Sequence, residues 1–378
     1  MRRVSSSPLS SAQRGASTQS TTVPRPPAVS ISWLGWLHQN LFSSWFNTLL
    51  TVLALWLLYI ALPPLLNWLV VNAVWGAAEP ATCKEASGAC WAMIHEKYRL
   101  ILFGRYPYDE QWRPTTGLVI LVGLIGLSCN RNFWRIWLLD VWLGGLTAWF
   151  VLMWGGVFGL AFVPNNLWGG LPLTLMLTII GLSVAFPVAI LLALGRRSSL
   201  PVIRVMCVLY IELIRGVPLI SLLFMASFML PLFLPTGVHF DEVLRAQVAI
   251  MMFSSAYLAE AIRGGLQAMP HGQYEAAHAL GLTYWQTQRK IILPQALKIS
   301  IPAIVNIFIG LFKDTSLVAI VSLSDLLLSM RQAIADIAWR RYFVEGYLFI
   351  ALIYFGFCFF MSKYSQYLEN QLETGHRR

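Results

Sequence analysis

The chain has 378 residues, 57% of them hydrophobic and only 12% charged, with a mean hydropathy of +0.63; a soluble domain of this size has no use for that much apolar surface, so composition points to a polytopic membrane protein. The formal charge is +10, from 27 Lys and Arg against 17 Asp and Glu, and in a membrane protein such an excess belongs in cytoplasmic loops rather than on a nucleic-acid-binding face. No G-x4-G-K-[ST] phosphate loop, H-E-x-x-H or G-x-S-x-G occurs, which excludes an ATPase and leaves no motif for a membrane-embedded enzyme.

Residues 1–30 are rich in Ser, Pro and Arg, lack an apolar core, and precede any acidic residue, the first being Glu79. This is unlike a signal peptide; it fits a disordered cytoplasmic tail, and equally an organelle transit peptide. Trp33, Trp36, Leu37, Leu41 and Phe42 then recur at helical spacing, so residues 1–45 read as a tail plus an interfacial helix. The first span is predicted over residues 48–66, with Trp68 and Trp75 marking its far interface and Pro63-Pro64 expected to kink or loosen its end. Arg2, Arg3, Arg14 and Arg25 upstream place the N-terminus inside.

Residues 76–114 read as an external polar loop that holds Cys83 and Cys90. In an oxidising compartment these two could close a short disulfide loop, whereas a metal site is disfavoured because His95 is the only imidazole nearby. The other cysteines, Cys129, Cys207 and Cys358, lie in or beside apolar runs as small packing residues. A second apolar run, 115–129, covers roughly 22 Å as a helix, short of the roughly 30 Å hydrocarbon core. Arg131 and Arg135 follow it as an internal turn, and a third run, 136–163, returns outward to Pro164-Asn165-Asn166. Residues 46–165 thus form an N-terminal extension with about three spans.

Residues 166–370 hold five more. The fourth span, 171–194, ends at Arg196-Arg197, and residues 195–216, with Arg204 and Arg215 as well, have a strongly cytoplasmic signature. The fifth, 217–234, leads to the external linker 235–242, which carries Asp241 and Glu242 and no Lys or Arg. The sixth is 243–262. A seventh region, 299–330, is interrupted by Lys313-Asp314, and the eighth, 343–361, leads to a short C-terminal tail, 371–378. Eight spans put residues 266–297 and both termini in the cytoplasm. The parity depends on 115–129 crossing, since otherwise Arg196-Arg197 would lie outside. The external loop 331–342, with Arg331, Arg340 and Arg341, runs against the charge rule.

The polar stretch 266–297 is predicted to fold as a helical elbow. A helix through 273–280 puts Glu275 in its first turn, where its charge suits the helix dipole. Gly281 is placed to end it in the left-handed region, and Thr283 and Gln286 fit a capping box opening a second helix. Within this stretch the chain reads E-A-A-x3-G-x9-I-x-L-P from Glu275 to Pro294, which resembles the pattern of the membrane subunits of bacterial ABC importers. Glu212 to Leu219 resembles the E-x-x-R-G-x-P-L signature of polar amino acid permeases, and Tyr257 to Gly265 their Y-x-A-E-x-x-R-G-G. Glu260 and Arg263, three apart on one helix face, can pair with each other.

The resemblance implies an all-α polytopic fold with about eight transmembrane helices, the last five similar to the MetI-like core of type I importers. Ala61 to Trp68, Asn72 to Trp75, Gly88 to Trp91 and Leu102 to Pro107 extend it to the M-type permease of the general L-amino acid transporter. It implies a non-catalytic pore subunit in a bacterial inner membrane. Its implied partners are an ABC ATPase, in two copies, that uses ATP and Mg; a second homologous permease; a periplasmic amino-acid-binding protein; an L-amino acid substrate; and the bilayer. No cofactor, metal or nucleic acid is implied for this chain. By the same likeness Glu275, Ala276, Ala277, Gly281, Ile291, Leu293 and Pro294 couple to the ATPase. Glu212, Arg215, Glu260, Arg263, Lys313 and Asp314 are candidates for gating or the substrate pathway. An ion-gradient-driven secondary transporter is the alternative, although no inverted repeat of the kind such folds carry is evident.

Overall fold

A computed structural model describes residues 32–373 except 78, 236 and 238. The predicted N-terminal tail, with its four arginines, and residues 374–378 lie outside the described residues. The described residues divide into two compact units, one ending at Leu66 and the other beginning at Asn67.

The first unit holds α1 (Trp33–Leu41) and α2 (Trp45–Leu66). Between them the Thr51 hydroxyl donates to the Leu41 carbonyl at 2.9 Å and the Asn47 amide to the Ser43 hydroxyl at 2.7 Å, so the turn is tied by side chains. No residue of α2 is buried, and its surface is apolar all round, as a lipid-facing helix requires. Pro63 and Pro64 lie inside α2 and a π turn, Asn67–Val71, follows; prolines that cannot donate to the preceding turn favour this loosening.

In the second unit the expected polar loop 76–114 is not a loop. It folds into α3 (Pro80–Glu85), α4 (Ala92–Phe103) and the first turn of α5 (Trp112–Cys129). The second span is therefore longer than the apolar run suggested, Tyr108–Cys129 with 22 residues, or about 33 Å. Pro114 starts it without penalty, because first-turn N–H groups have no helical partner. Arg113 is fully buried, donating to the Leu152 carbonyl at 2.6 Å and the Ala161 carbonyl at 2.8 Å. It thereby closes the open end of α6 (Trp137–Trp154), which stops well short of the predicted end at 163.

The core is built on α7 (Gly170–Arg196), which packs along α11 (Glu242–Gln267). Between them in sequence come α8 (Pro201–Gly216), α9 (Leu219–Phe224), a π turn and α10 (Leu230–Phe233). Residues 201–216, expected as a loop, are thus a helix, bent by 101° from the segment Leu219–Phe233. Among the described residues six helices are long and apolar enough to cross a membrane, or seven if this bent pair is one span. The predicted eight are reached only by adding α11, whose 26 residues are long enough but more polar. Its Gln247, Ser254 and Ser255 are buried against neighbouring helices, so lipid never meets them.

After α11 come α12 (His271–Ala279), α13 (Tyr284–Thr287), a π turn and α14 (Leu293–Asp314). The helix tightens to a 3-10 turn over Thr315–Val321 and ends at Ser322, whose φ is 65°. The break in the seventh region is therefore at Ser322, and Lys313-Asp314 form the last turn of α14. Residues Ser324 and Asp325 bridge to Gly169 and Gly170 at the start of α7. They lead into α15 (Leu326–Ala333), and α16 (Phe343–Glu373) completes the bundle.

Candidate functional site: the elbow and its charge cluster

The elbow is α12, α13 and the π turn into α14. α12 ends in two reversed hydrogen bonds, Gly281 N–H to the His278 carbonyl at 2.9 Å and Leu282 N–H to the Ala277 carbonyl at 3.1 Å. This closure needs a left-handed residue, and Gly281 supplies it with φ +70°. Thr283 and Gln286 form a capping box on α13, with the Thr283 N–H donating to Gln286 Oε1 at 2.9 Å. Further on, Pro294 lacks an N–H and crowds the carbonyl four residues back, that of Lys290. The helix widens there into the π turn Gln288–Ile292.

Burial divides the motif residues. Ala277 is fully buried, and Ile291 and Leu293 pack against the main core, so these three hold the elbow's shape. Glu275, Ala276, His278, Ala279 and Gly281 are exposed, beside Leu280, Tyr284 and Trp285, which are 76%, 51% and 65% exposed. Among the described residues nothing in the chain pairs with the Glu275 carboxylate. The result is a rigid, partly apolar ridge with a free acidic group.

Two side-chain contacts pin this ridge to the bundle. The Gln295 amide donates to Gln273 Oε1 at 3.3 Å. Arg197 Nη1 donates to the Leu266 carbonyl at 2.8 Å and the Tyr274 hydroxyl at 3.3 Å. A cavity of about 180 Å³ lies behind them, lined by Leu194, Arg197, Leu266, Tyr274, Tyr284 and Gln288.

At the same end of the bundle, four of the singled-out charges come together. Arg263 Nε donates to both Glu260 carboxylate oxygens at 2.9 Å, and its Nη2 makes a third, shorter contact. Arg215 reaches Glu260 at 4.0 Å and lies over the Tyr257 ring at 5.5 Å. Sequence reasoning had not placed Arg196 among these charges. It joins Glu212 at 2.8 Å to Glu260 at 3.4 Å. Two carboxylates and three guanidinium groups therefore lock α7, α8 and α11 together. The signal for Arg196 was available, since it ends a span one helical turn from a break, but its partners are distant in sequence.

Lys313 is exposed and Asp314 partly buried. Neither has a hydrogen-bond or ion-pair partner among the described residues. Their turn is fixed by Phe312, which packs on Tyr354 and Phe357 with ring centroids 5.2 and 5.3 Å apart.

At the opposite end, Cys83 and Cys90 are joined as a disulfide, their Cα atoms 5.6 Å apart. The Cys90 N–H donates to the buried Glu345 carboxylate at 2.9 Å. Lys97 pairs with Asp336 at 2.9 Å. Burial pulls the lysine down, but hydrogen bonds to Asp336 and Glu96 outweigh it and leave the pKa raised. The same bond from Lys97 holds the Asp336 carboxyl below its usual range. Among the described residues no three His, Cys, Asp or Glu groups could hold a metal ion.

Fold and site together define a multi-pass helical membrane component with an exposed helical elbow. The chain belongs to the family described as the binding-protein-dependent transport system inner membrane component, whose model matches residues 185–373. It is 49% identical over 360 residues, 93% of this chain and 96% of the relative, to the inner membrane amino-acid ABC transporter permease protein YhdY of Escherichia coli (strain K12). It is 40% identical to the glutamate/glutamine/aspartate/asparagine transport system permease protein BztC of Rhodobacter capsulatus, over 94% of this chain and 97% of that one. A solved amino acid ABC transporter with histidines is similar over 52% of this chain and 90% of its own, at 34% identity and a TM-score of 0.47. The chain is thus a non-catalytic, inner-membrane permease component of an ABC importer. Its family implies a partner ATPase and a solute-binding protein.

Proposed function

We propose that this chain forms part of the pathway by which L-amino acids enter the cell. It works with a second, homologous permease subunit, an ATPase present in two copies that uses ATP and Mg, and a periplasmic amino-acid-binding protein. The substrate class is supported by the two relatives matched over nearly the whole chain, an amino-acid transporter permease and a glutamate/glutamine/aspartate/asparagine transport permease. Both termini and the elbow lie in the cytoplasm, while the disulfide-bearing lobe faces the periplasm, where such a bond persists.

The observation that carries the mechanism is the exposed ridge of Glu275, Ala276 and Gly281, held rigid by buried Ala277 and by Ile291, Leu293 and Pro294 behind it. The ATPase docks on this ridge, and its closure is passed to the spans. Glu212, Arg215, Glu260 and Arg263, with Arg196, act as a latch that breaks and re-forms as α8 moves against α11. Lys313 and Asp314, unpaired among the described residues, offer both charge signs that an amino acid needs on its way through. Glu275→Lys is expected to abolish uptake while leaving the protein in the membrane. Normal uptake by that variant would overturn the coupling role.

A further inference from the structure

At the elbow end of the bundle α5 stops beside the last turns of α16, and Ser128 gathers the surroundings. Its carbonyl accepts from Trp134 Nε1 at 2.7 Å and from the Tyr364 hydroxyl at 3.4 Å, while its hydroxyl accepts from Trp142 Nε1 at 2.9 Å. Asn130 Oδ1 accepts from the Asn132 N–H at 3.1 Å, capping the short turn after α5. Between this turn and α16 lies an open cavity of about 660 Å³ lined by Gly126, Asn130, Arg131, Asn132, Tyr364 and Tyr367.

Three features describe what would fill it. First, Arg131 and Arg135 have no carboxylate partner among the described residues; the Arg131 guanidinium only lies over the Trp134 ring, at 6.0 Å. Second, the turn exposes Trp134, Ile136 and Trp137, the mixture of aromatic rings and cations that marks a membrane–water interface. Third, a Cβ at Gly126 or Gly123 would meet nothing within 4 Å. With Val119, which is 68% exposed, these glycines make one helical face leading from the cavity along the apolar span.

We infer that this cavity binds an anionic phospholipid. Its phosphate sits on Arg131 and the Asn130 and Asn132 amides, within reach of the Tyr367 hydroxyl, and one acyl chain lies along the Gly126–Gly123–Val119 face. A cation beside an anionic lipid surface favours binding by about five-fold per residue. The cavity is several times larger than inorganic phosphate needs, and only a lipid uses the apolar slot beneath.

The test is native mass spectrometry of the intact transporter, purified with its partner subunits and exchanged into mixed phosphatidylglycerol and phosphatidylcholine. Wild type is expected to retain phosphatidylglycerol preferentially. Arg131→Gln should reduce that retention about five-fold, and Gly126→Leu should reduce it while leaving every charge in place. Arg131→Lys should keep the preference, which guards against loss through misfolding. Equal retention of the two lipids by wild type, or unchanged retention in both Arg131→Gln and Gly126→Leu, would overturn the inference. So would displacement of the lipid by millimolar inorganic phosphate, which would mark a free-anion site.

Discussion

The guanidinium of Arg197 donates to the hydroxyl of Tyr274 across 3.3 Å, tying the end of α7 to the elbow. Its second bond, to the Leu266 carbonyl, holds the last turn of α11 in the same grip. A force on the ridge therefore reaches two core helices through one side chain. Arg197→Ala is expected to lower substrate moved per ATP hydrolysed several-fold in proteoliposomes holding the whole transporter. Arg197→Lys keeps one bond and the charge and should recover part of the loss. Equal ratios in wild type and Arg197→Ala would show that the elbow is driven through α11 and α14 alone.

Glu260 is the hub of the charge cluster, about one-fifth exposed, with Arg196, Arg215 and Arg263 around it. Glu260→Gln leaves three guanidinium groups facing one another with only Glu212 to offset them. After allowing for solvent screening, the cost is about 1–2 kcal/mol. Glu212 is 54% exposed, so Glu212→Gln should cost no more than about 0.5 kcal/mol. Thermal unfolding in detergent checks the order; equal losses would mean that burial does not set these energies.

The elbow was legible in the sequence because its determinants are local: Gly281, the Thr283–Gln286 pair and Pro294 each act within a turn or two. What escaped was decided by contacts distant in sequence. Residues 201–216 look like a loop because Arg204 and Arg215 dominate, yet Ile211 and Ile214 are buried and turn one side of the helix to the bundle. In residues 76–114 the mixed charges hid a helical stripe, Met93 and Ile94 followed two turns on by Leu100 and Ile101. That stripe packs α4 onto α15. Arg113, within the same stretch, finds its partners in the carbonyls of Leu152 and Ala161, 39 and 48 residues away.

Asp325 gives the outer end a pH dependence. It lies beyond the candidate span that ends at Val321 and caps α15, accepting from the N–H groups of Leu327 and Leu328 at 3.0 Å each. Burial raises its pKa from 3.8 to about 6, against those two donors. The folded state therefore holds this proton more tightly than the unfolded chain does. That stabilisation is complete below about pH 4 and is lost as pH rises through about 6, up to about 3 kcal/mol in all. Asp325→Asn keeps a capping oxygen but does not titrate. Melting temperature against pH should therefore lose this component in the variant; identical slopes would assign the dependence to other groups.

The second glycine of the R-G-G signature is explained by a helix crossing. A Cβ on Gly265 would overlap the Ser300 hydroxyl and the Ala296 backbone carbonyl. Ser300 cannot swing away freely, since its hydroxyl bonds the Ala261 carbonyl of α11 at 3.0 Å and the Ala296 carbonyl of its own helix at 2.9 Å. Gly264, one residue earlier, faces open space. Gly265→Ala must therefore push α14 off α11, at about 1–3 kcal/mol, whereas Gly264→Ala adds a methyl group to empty space and favours the helix by up to about 1 kcal/mol. Because α14 begins at the elbow, Gly265→Ala should also lower uptake at temperatures where the protein remains folded. Paired melting and uptake measurements on the two variants check this, and a Gly264→Ala variant as damaged as Gly265→Ala would contradict the crossing as the cause.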